Sequence, residues 1–592
     1  MINISICLLI KDGYKIEITN ITQLVIIIMH CTYKLRIIDR QKNDFGLVNA
    51  YTLADSPIPH KFNPIAHKMF NQDIFTYENG HVNILHSSAR CMKVIPAVLA
   101  LENSQTYGRM KDKFLYKCIP DDKRLPIFLV PYKIKLGFSK SIKNKYVVFQ
   151  FRSWEGKHPI GSLTQTIGDV NQLDSFYEYQ LYCKSLYASI QNITKKTMRK
   201  LKEKTEEEYI DMIKTKSDLK DYRDVRNILS IDPSTSRDFD DAFDIEILED
   251  GHRISIYISN VSFWMDAMDL WSSFSNRIST IYLPDRKRPM LPTVLSDALC
   301  SLTENDIRFA LELSLTIKEF KIIDFEFNNC VIKVKRNLRY DTDEQESNDD
   351  YKILFEQIKM MNRKKKYVDS IDTSHDVIAY LMITMNYISA KELIRLKTGI
   401  FRSAQFGSNF TPPEHIPKDV RKFLKHWNSL GGKYSKDFGQ HDMLELDAYV
   451  HITSPIRRLV DLLNIMILQD KLGLYKMSDE AKEFYERWTH DSSIEYINTT
   501  MRSIRRVQND CSLLKICMDD EDTLNTIYDG YIFDKLIRND ALYQYMVYLP
   551  ELNMVNRFTS RHDKINLTKQ QFKIYVFTDQ VSLKRKIRVE IQ

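Results

Sequence analysis

At 592 residues, with 43% hydrophobic and 28% charged side chains, the chain is too long for one core and too apolar to be disordered throughout. Its 85 basic and 78 acidic residues leave a net charge of +7, a mild excess compatible with a polyanionic partner but no evidence for one. Nine cysteines without a Cys-x-x-Cys pair argue against a disulfide framework and for reduced thiols in a cytoplasmic setting.

Taken in order, residues 1–105 read as short strands and turns ("KLRIIDR", "GLVNAYTL", "HVNILH"), the pattern of a divergent small β-barrel. The run "LVIIIM" (Leu24–Met29) falls far short of the ~20 residues of a membrane span, and the opening residues lack the basic start of a secretory signal. Neither membrane association nor export is expected. Residues 106–190 form a second strand-rich region. It interleaves Lys133, Lys135, Lys140, Lys143, Lys145 and Arg152 with Tyr132, Phe138, Tyr146, Phe149, Phe151 and Trp154. Small barrels that bind single strands use cations for phosphates and aromatic faces for bases; an amphipathic sheet with solvated lysines has the same composition.

Residues 191–224 predict a charged helical connector. From 225 to about 340 strand-like runs return, followed by the acidic "DTDEQESNDD". From about 352 to 518 the period becomes helical, as in "VIAYLMITMNYISAKELIRL" and "SPIRRLVDLLNIMILQDKLGL". Residues 521–592 revert to alternation and predict a final small β-barrel.

The stretch "IDPSTSRDFDDAFDIE" concentrates Asp232, Asp238, Asp240, Asp241, Asp244 and Glu246. Like charges this close raise one another's pKa unless a cation or water answers them. An EF-hand is excluded because Phe243 stands where its loop needs glycine, and zinc is disfavoured because the cluster holds no His or Cys. Oxygen ligands alone favour Mg²⁺, with Mn²⁺ as a substitute, and such a nest suits metal-assisted phosphodiester hydrolysis. A solvated acidic loop is the alternative. Asp240 and Asp241 are adjacent, so a regular strand would send them to opposite faces; convergence needs a break in the strand.

The same stretch closely resembles the signature of the ribonuclease II / ribonuclease R (RNB) family, Ile-Asp-Pro followed by Asp-x-Asp-Asp-Ala. Two more blocks follow in family order: "YLPDRKRPMLPTVLSDALCSLTENDIR" (Tyr282–Arg308) and "YVHITSPIRRLVDLLN" (Tyr449–Asn464). "DDKRLPIFLVPY" and "NKYVVFQF" resemble the second cold-shock-type barrel of the family's eukaryotic branch. The resemblance implies an α/β (α+β) RNB catalytic domain at 225–520 flanked by small OB-fold barrels, at 1–105 and 106–190 before it and 521–592 after it. Such a chain is expected to be a monomeric, Mg²⁺-dependent, processive 3′→5′ exoribonuclease that threads single-stranded RNA and releases nucleoside 5′-monophosphates. By position, Asp232, Asp238, Asp240 and Asp241 resemble the metal carboxylates, with Asp240 the one essential to the chemistry. Tyr340 resembles the tyrosine near the scissile phosphate, Arg457 the phosphate-holding arginine, and Tyr282 the aromatic that stacks on the 3′-terminal base.

The chain departs from the family pattern in three places. Tyr257 and Asn260 replace a His and an Asp, the paired glutamates expected ahead of Asn386 are Ala379 and Tyr380, and the closing His-Arg is Ile465 and Met466. They leave a rival open, a catalytically impaired RNA-binding scaffold with the same fold. A phosphodiesterase acting on DNA or a small nucleotide is a third reading.

Overall fold

The computed structural model describes residues 32–592 except 60–61, 79, 135–141, 341, 405–411, 428–431, 443, 520 and 539, together with the paired strands Ile6–Leu9 and Lys15–Ile18. The run Leu24–Met29 and residues Lys135, Phe138 and Lys140 lie outside them. The chain divides into two compact units. One holds Met1–Ser185 with Leu514–Thr526 and Lys573–Glu590, the other Leu186–Leu513 with Ile527–Phe572 and Ile591–Gln592.

In the first unit, five antiparallel strands between Thr32 and His86 form one sheet over a core of Leu35, Ile37, Leu47, Phe62 and Phe75. A second sheet closes on itself. Ile95–Leu99 pairs with Lys113–Pro120, that strand with Phe128–Tyr132, and the ring returns through Ile160–Asp169 and Lys145–Ser153 to Ile95–Leu99. One parallel pairing, Leu129 opposite Ile160, makes the closure, and register shifts between Lys145–Ser153 and Ile160–Asp169 supply the bulges a small barrel needs to curl. Gly161 sits where a Cβ would meet the Phe149 ring at 2.5 Å, so only glycine lets the two strands approach.

Two sequence expectations are corrected here. The strand Ile95–Leu99, placed by the 105/106 boundary in the first region, belongs to the second barrel because its ladder partners lie there. Tyr146 and Phe149, candidates for faces that stack on bases, are fully buried: Phe149 packs in the barrel core on Phe128 with ring centroids 4.8 Å apart, and Tyr146 stacks on Tyr179 of the helix Leu173–Cys183 at 4.2 Å.

The second unit opens with the charged helices Gln191–Glu203 and Glu206–Lys216, the latter started by a Thr205/Glu208 capping box. A second closed ring follows. Ile228–Asp232, Asp241–Leu248, Gly251–Ser259 and Ile307–Lys318 pair in turn, and Lys321–Arg339 closes the ring by pairing with Ile307–Lys318 along its first half and with Ile228–Asp232 along its second. In Gly251–Ser259, Ile254, Ile256 and Ile258 join the main hydrophobic core, which also takes residues of the helices Asp349–Lys364, Ser374–Arg395 and Leu459–Lys471. Tyr257 of the same strand joins a separate cluster with Ala242, Ala310 and Cys330, as period-2 alternation requires. Leu459–Lys471 is apolar all round and is a central core helix, as such a pattern predicts. Ser374–Arg395 is the one described helix long and apolar enough to cross a membrane, and 67% of its most apolar window is buried among its neighbours. Within the expected helical region a short strand pair also occurs, Phe401–Ser403 with Lys433–Ser435. The chain's last strands form a five-stranded sheet, in which Tyr531, Phe533 and Tyr548 pack on Val420 and Leu424 of the helix Lys418–Trp427.

Candidate active site

The acidic stretch spans a loop between two strands. Asp232 ends Ile228–Asp232, and Pro233 then turns the chain, with the Ser236 amide bonded to its carbonyl. Ser301 fixes the loop: its hydroxyl accepts from the Phe239 amide and donates to the Arg237 carbonyl, both at 2.9 Å. The next strand begins only at Asp241, so Asp240 belongs to the loop and the expected break between the two carboxylates is present.

Three further segments meet this loop. The Ile456 amide donates to Asp240 Oδ1 at 2.9 Å, and Arg457 Nε lies 2.8 Å from Asp240 Oδ2. The Arg457 segment is itself pinned, since its carbonyl accepts from the Thr280 amide at 2.9 Å and the Ser279 hydroxyl at 3.0 Å. Tyr282, 43% exposed, lines the same cavity as Arg457. Lys287 Nζ donates to Asp238 Oδ1 at 2.9 Å and to Asp297 Oδ1 at 3.0 Å. Tyr340 follows the strand paired with Asp232, its amide bonded to the Asp232 carbonyl at 3.2 Å and its ring stacked on His375 at 3.7 Å. Asp232, Asp238, Asp240, Asp241, Tyr282, Tyr340 and Arg457 are therefore one neighbourhood.

Its electrostatics are those of carboxylates short of positive charge. Burial, then Asp241, raises the Asp232 carboxyl, and burial raises Asp241 against the opposing charge of Arg457. Burial pushes Asp240 up to about 7, although Arg457 and the Ile456 amide pull it down. Among the described residues no three Asp, Glu, His or Cys side chains are drawn into a ready coordination cage, and Lys287 and Arg457 take up part of the carboxylates' capacity. Asp232 Oδ2 remains buried without a hydrogen-bond donor, and Asp240 Oδ2 is answered only by the charge of Arg457, with no aligned hydrogen bond. Buried carboxylate oxygens so poorly satisfied, in an all-oxygen donor set, fit a hard divalent cation.

Beside Arg457 opens a cavity of about 470 Å³. Asn386 and Tyr449 line it, hydrogen-bonded to each other at 3.0 Å, as do His451, Arg458 and Arg505. Sequence reasoning did not single out Lys287, His451 or Arg505. Lys287 stands inside the matched block "YLPDRKRPM", a lysine between two acidic segments, which was the available signal. His451 likewise stands inside the matched block "YVHITSPIRRLVDLLN", whereas Arg505 carried no signal.

The motif departures lie in the interior. The Tyr257 hydroxyl donates to Asp244 Oδ2 at 3.3 Å inside an Arg226–Asp244–Glu312 cluster. Asn260 Nδ2 donates to Asn329 at 3.1 Å and Gln469 at 2.9 Å, and its Oδ1 accepts from Ser262. Tyr380, Ile465 and Met466 are core residues, and Ala379 is half-buried beside them.

Residues 219–352 and 344–473 match the family model of the RNB domain, and residues 115–178 match the Dis3-like cold-shock domain 2. The chain is 27% identical over 329 residues to ribonuclease R of Chlamydia pneumoniae, covering 43% of this chain and 48% of that protein. It is 24% identical over 486 residues to ribonuclease R of Vibrio parahaemolyticus, covering 67% and 55%. It thus spans about half the length of these curated relatives. Its fold resembles that of Mycoplasma genitalium RNase R solved with ribose-methylated single-stranded RNA, with TM-score 0.66 and 15% identity over 94% of this chain and 100% of that one. It also resembles yeast Ssd1, described as a pseudonuclease, with TM-score 0.56 and 15% identity over 91% and 80%. Fold and site thus define an RNB-domain protein with an OB-type cold-shock barrel ahead of that domain. Residues 219–473 are similar to the RNB domain of the ribonuclease II and ribonuclease R family.

Proposed function

We propose that the chain is a magnesium-dependent 3′→5′ exoribonuclease that shortens single-stranded RNA one nucleotide at a time. The observation that carries this reading is the pairing of Asp240, fixed by the Ile456 amide, with Arg457, beside the buried Asp232 Oδ2 that has no donor. Asp232, Asp238, Asp240 and Asp241 would hold the cation. When bound, it supplies Lewis-acid polarisation of a phosphoryl oxygen and of the attacking water.

The protein's own groups do the rest. Arg457 offers a planar fork of donors to the phosphate while its Nε stays against Asp240, so the phosphate is held next to the acidic cluster. Tyr282, partly exposed in the same cavity as Arg457, presents a ring on which the terminal base stacks. Lys287 neutralises Asp238 and Asp297, which lowers the cost of crowding carboxylates. Tyr340 is held by His375 beside Asp232 and Asp241. In the reaction a water oxygen bonds to phosphorus as the P–O3′ bond breaks. The phosphate leaves on the terminal nucleotide, and the shortened strand regains a 3′-hydroxyl.

A second reading, an RNA-binding scaffold, draws support from the cations already set against Asp238 and Asp240 and from the fold shared with a pseudonuclease. Chromatography of products from RNA and DNA of one sequence, incubated with the protein and Mg²⁺, decides between the readings. Nucleoside 5′-monophosphates from RNA alone are expected. Intact RNA that still binds would establish the scaffold, and equal digestion of DNA would overturn ribose specificity.

A further inference from the structure

The cavity that holds Arg457 gathers cations the chemistry above does not use. Arg458 Nη2 donates to Asp461 Oδ1 at 2.7 Å, and the same oxygen accepts from the Ser454 amide at 2.8 Å. Outside the cavity lining, Arg402 is bonded to the Gly432 carbonyl at 2.5 Å and packed over the Tyr434 ring at 5.0 Å. Arg505 lines the cavity from the long helix Asp491–Asp519; it is exposed and makes no ion pair among the described residues.

These guanidiniums share one electrostatic neighbourhood. Arg402 is lowered by burial and further by Arg505 and Arg458, against the pull of the Tyr434 phenol. His451 is lowered by burial, then by Arg458 and Arg402, so it meets the cavity as a neutral imidazole, bonded through Nδ1 to the Tyr434 hydroxyl at 2.7 Å. Asp461 is the carboxylate that answers the cluster, and Arg458 already occupies it. Arg402 and Arg458 are each held by other contacts, and Asp461 offsets only part of the positive charge that Arg505 adds to, which leaves the cavity receptive to an anion. A phosphodiester suits the place, because arginine forks match its oxygens and neutral His451 and Gln508 add uncharged polar groups.

We propose that Arg458 and Arg505, backed by the charge of Arg402, form a phosphodiester subsite separate from the Arg457 position, which grips the backbone of the RNA strand away from the scissile bond, with Arg505 as its exposed positioning residue. The inference rests on the RNA reading above and adds a second grip to it.

The test measures binding of a 5′-fluorescein single-stranded oligoribonucleotide by anisotropy in EDTA, across a range of KCl, with no cleavage possible. Arg505→Ala should weaken binding about tenfold at low salt and reduce the slope of log Kd against log salt by ~0.7, the loss of one phosphate contact on a single strand. Arg505→Lys should keep the slope. Arg506→Ala, on the same helix but paired with Asp510 and outside the cavity lining, should change neither. With Mg²⁺ restored, Arg505→Ala should raise KM about tenfold and leave kcat unchanged. An unchanged affinity and slope in Arg505→Ala, or an equal loss in Arg506→Ala, would overturn the subsite. Wild-type binding with the expected Arg505 effect but no shortening in Mg²⁺ would overturn the nuclease reading and leave the subsite standing.

Discussion

Asp240 is gripped from two directions by neighbouring residues of one loop, the Ile456 amide and the Arg457 guanidinium. Its charge, more than its shape, is what the site needs. Asp240→Asn keeps the volume and the acceptor for Ile456 but loses the anion. The expected outcome is a fall of at least about a thousandfold in the rate of RNA shortening, some 4 kcal/mol of barrier, with RNA affinity in EDTA within a few-fold of wild type. Single-turnover kinetics and anisotropy check both, and a variant that cuts within tenfold of wild type would remove Asp240 from the chemistry. The acidic residues were legible as a group because six acidic side chains in one stretch have few structural uses. Lys287 was not, because its partner Asp238 is distant in sequence and the loop path, not the local pattern, brings them together.

At the scale of elements, buried polar residues tie the site's segments to one another. Asn464, on the central helix, accepts from the Ile400 amide at 2.8 Å and donates to the Ile400 and His451 carbonyls at 2.9 and 3.0 Å, with no exposure of its own. Asn464→Ala leaves three buried backbone groups without partners at about 1–3 kcal/mol each, so a loss of roughly 3–5 kcal/mol is expected from urea denaturation. A loss below about 1 kcal/mol would mean that water replaces the amide. Inside the ring of strands, burial pushes Asp244 up to about 6 despite Arg226 and the Tyr257 hydroxyl. A carboxyl raised in the folded state contributes stability that is full below its unfolded value of about 4 and is lost as pH rises through 6, here about 3 kcal/mol. Asp244→Asn should therefore gain on wild type by up to that amount between about pH 4 and 7. Denaturation midpoints across that range check it, and parallel curves would contradict it. The helices Ser374–Arg395 and Leu459–Lys471 were visible from their apolar spacing. The meaning of Tyr257 and Asn260 was not, because each is explained by buried partners, Asp244 for one and Asn329 with Gln469 for the other, that no local pattern announces.

Over the whole molecule, the RNB domain and its neighbouring β modules were foreseen in outline, since three long motifs in order leave few alternatives. What the sequence blurred was where one module stops. Ile95–Leu99 looks like any other short strand, and only its pairing with Lys113–Pro120 and Lys145–Ser153 assigns it to the second barrel. The interleaved lysines and aromatics of that barrel likewise told two stories. Phe149 belongs to its core, Tyr146 packs on Tyr179 of a helix, and Lys145 pairs with Asp169. The central claim concerns the carboxylates of the RNB domain, and one experiment meets it most directly: a 5′-labelled single-stranded RNA incubated with the full chain and Mg²⁺, beside Asp240→Asn and an EDTA control. A ladder that shortens from the 3′ end with wild type alone, and stops in both controls, is the predicted result. RNA that stays full-length in all three while remaining bound would contradict the account and leave an RNA-binding protein that has kept the family's fold without its chemistry.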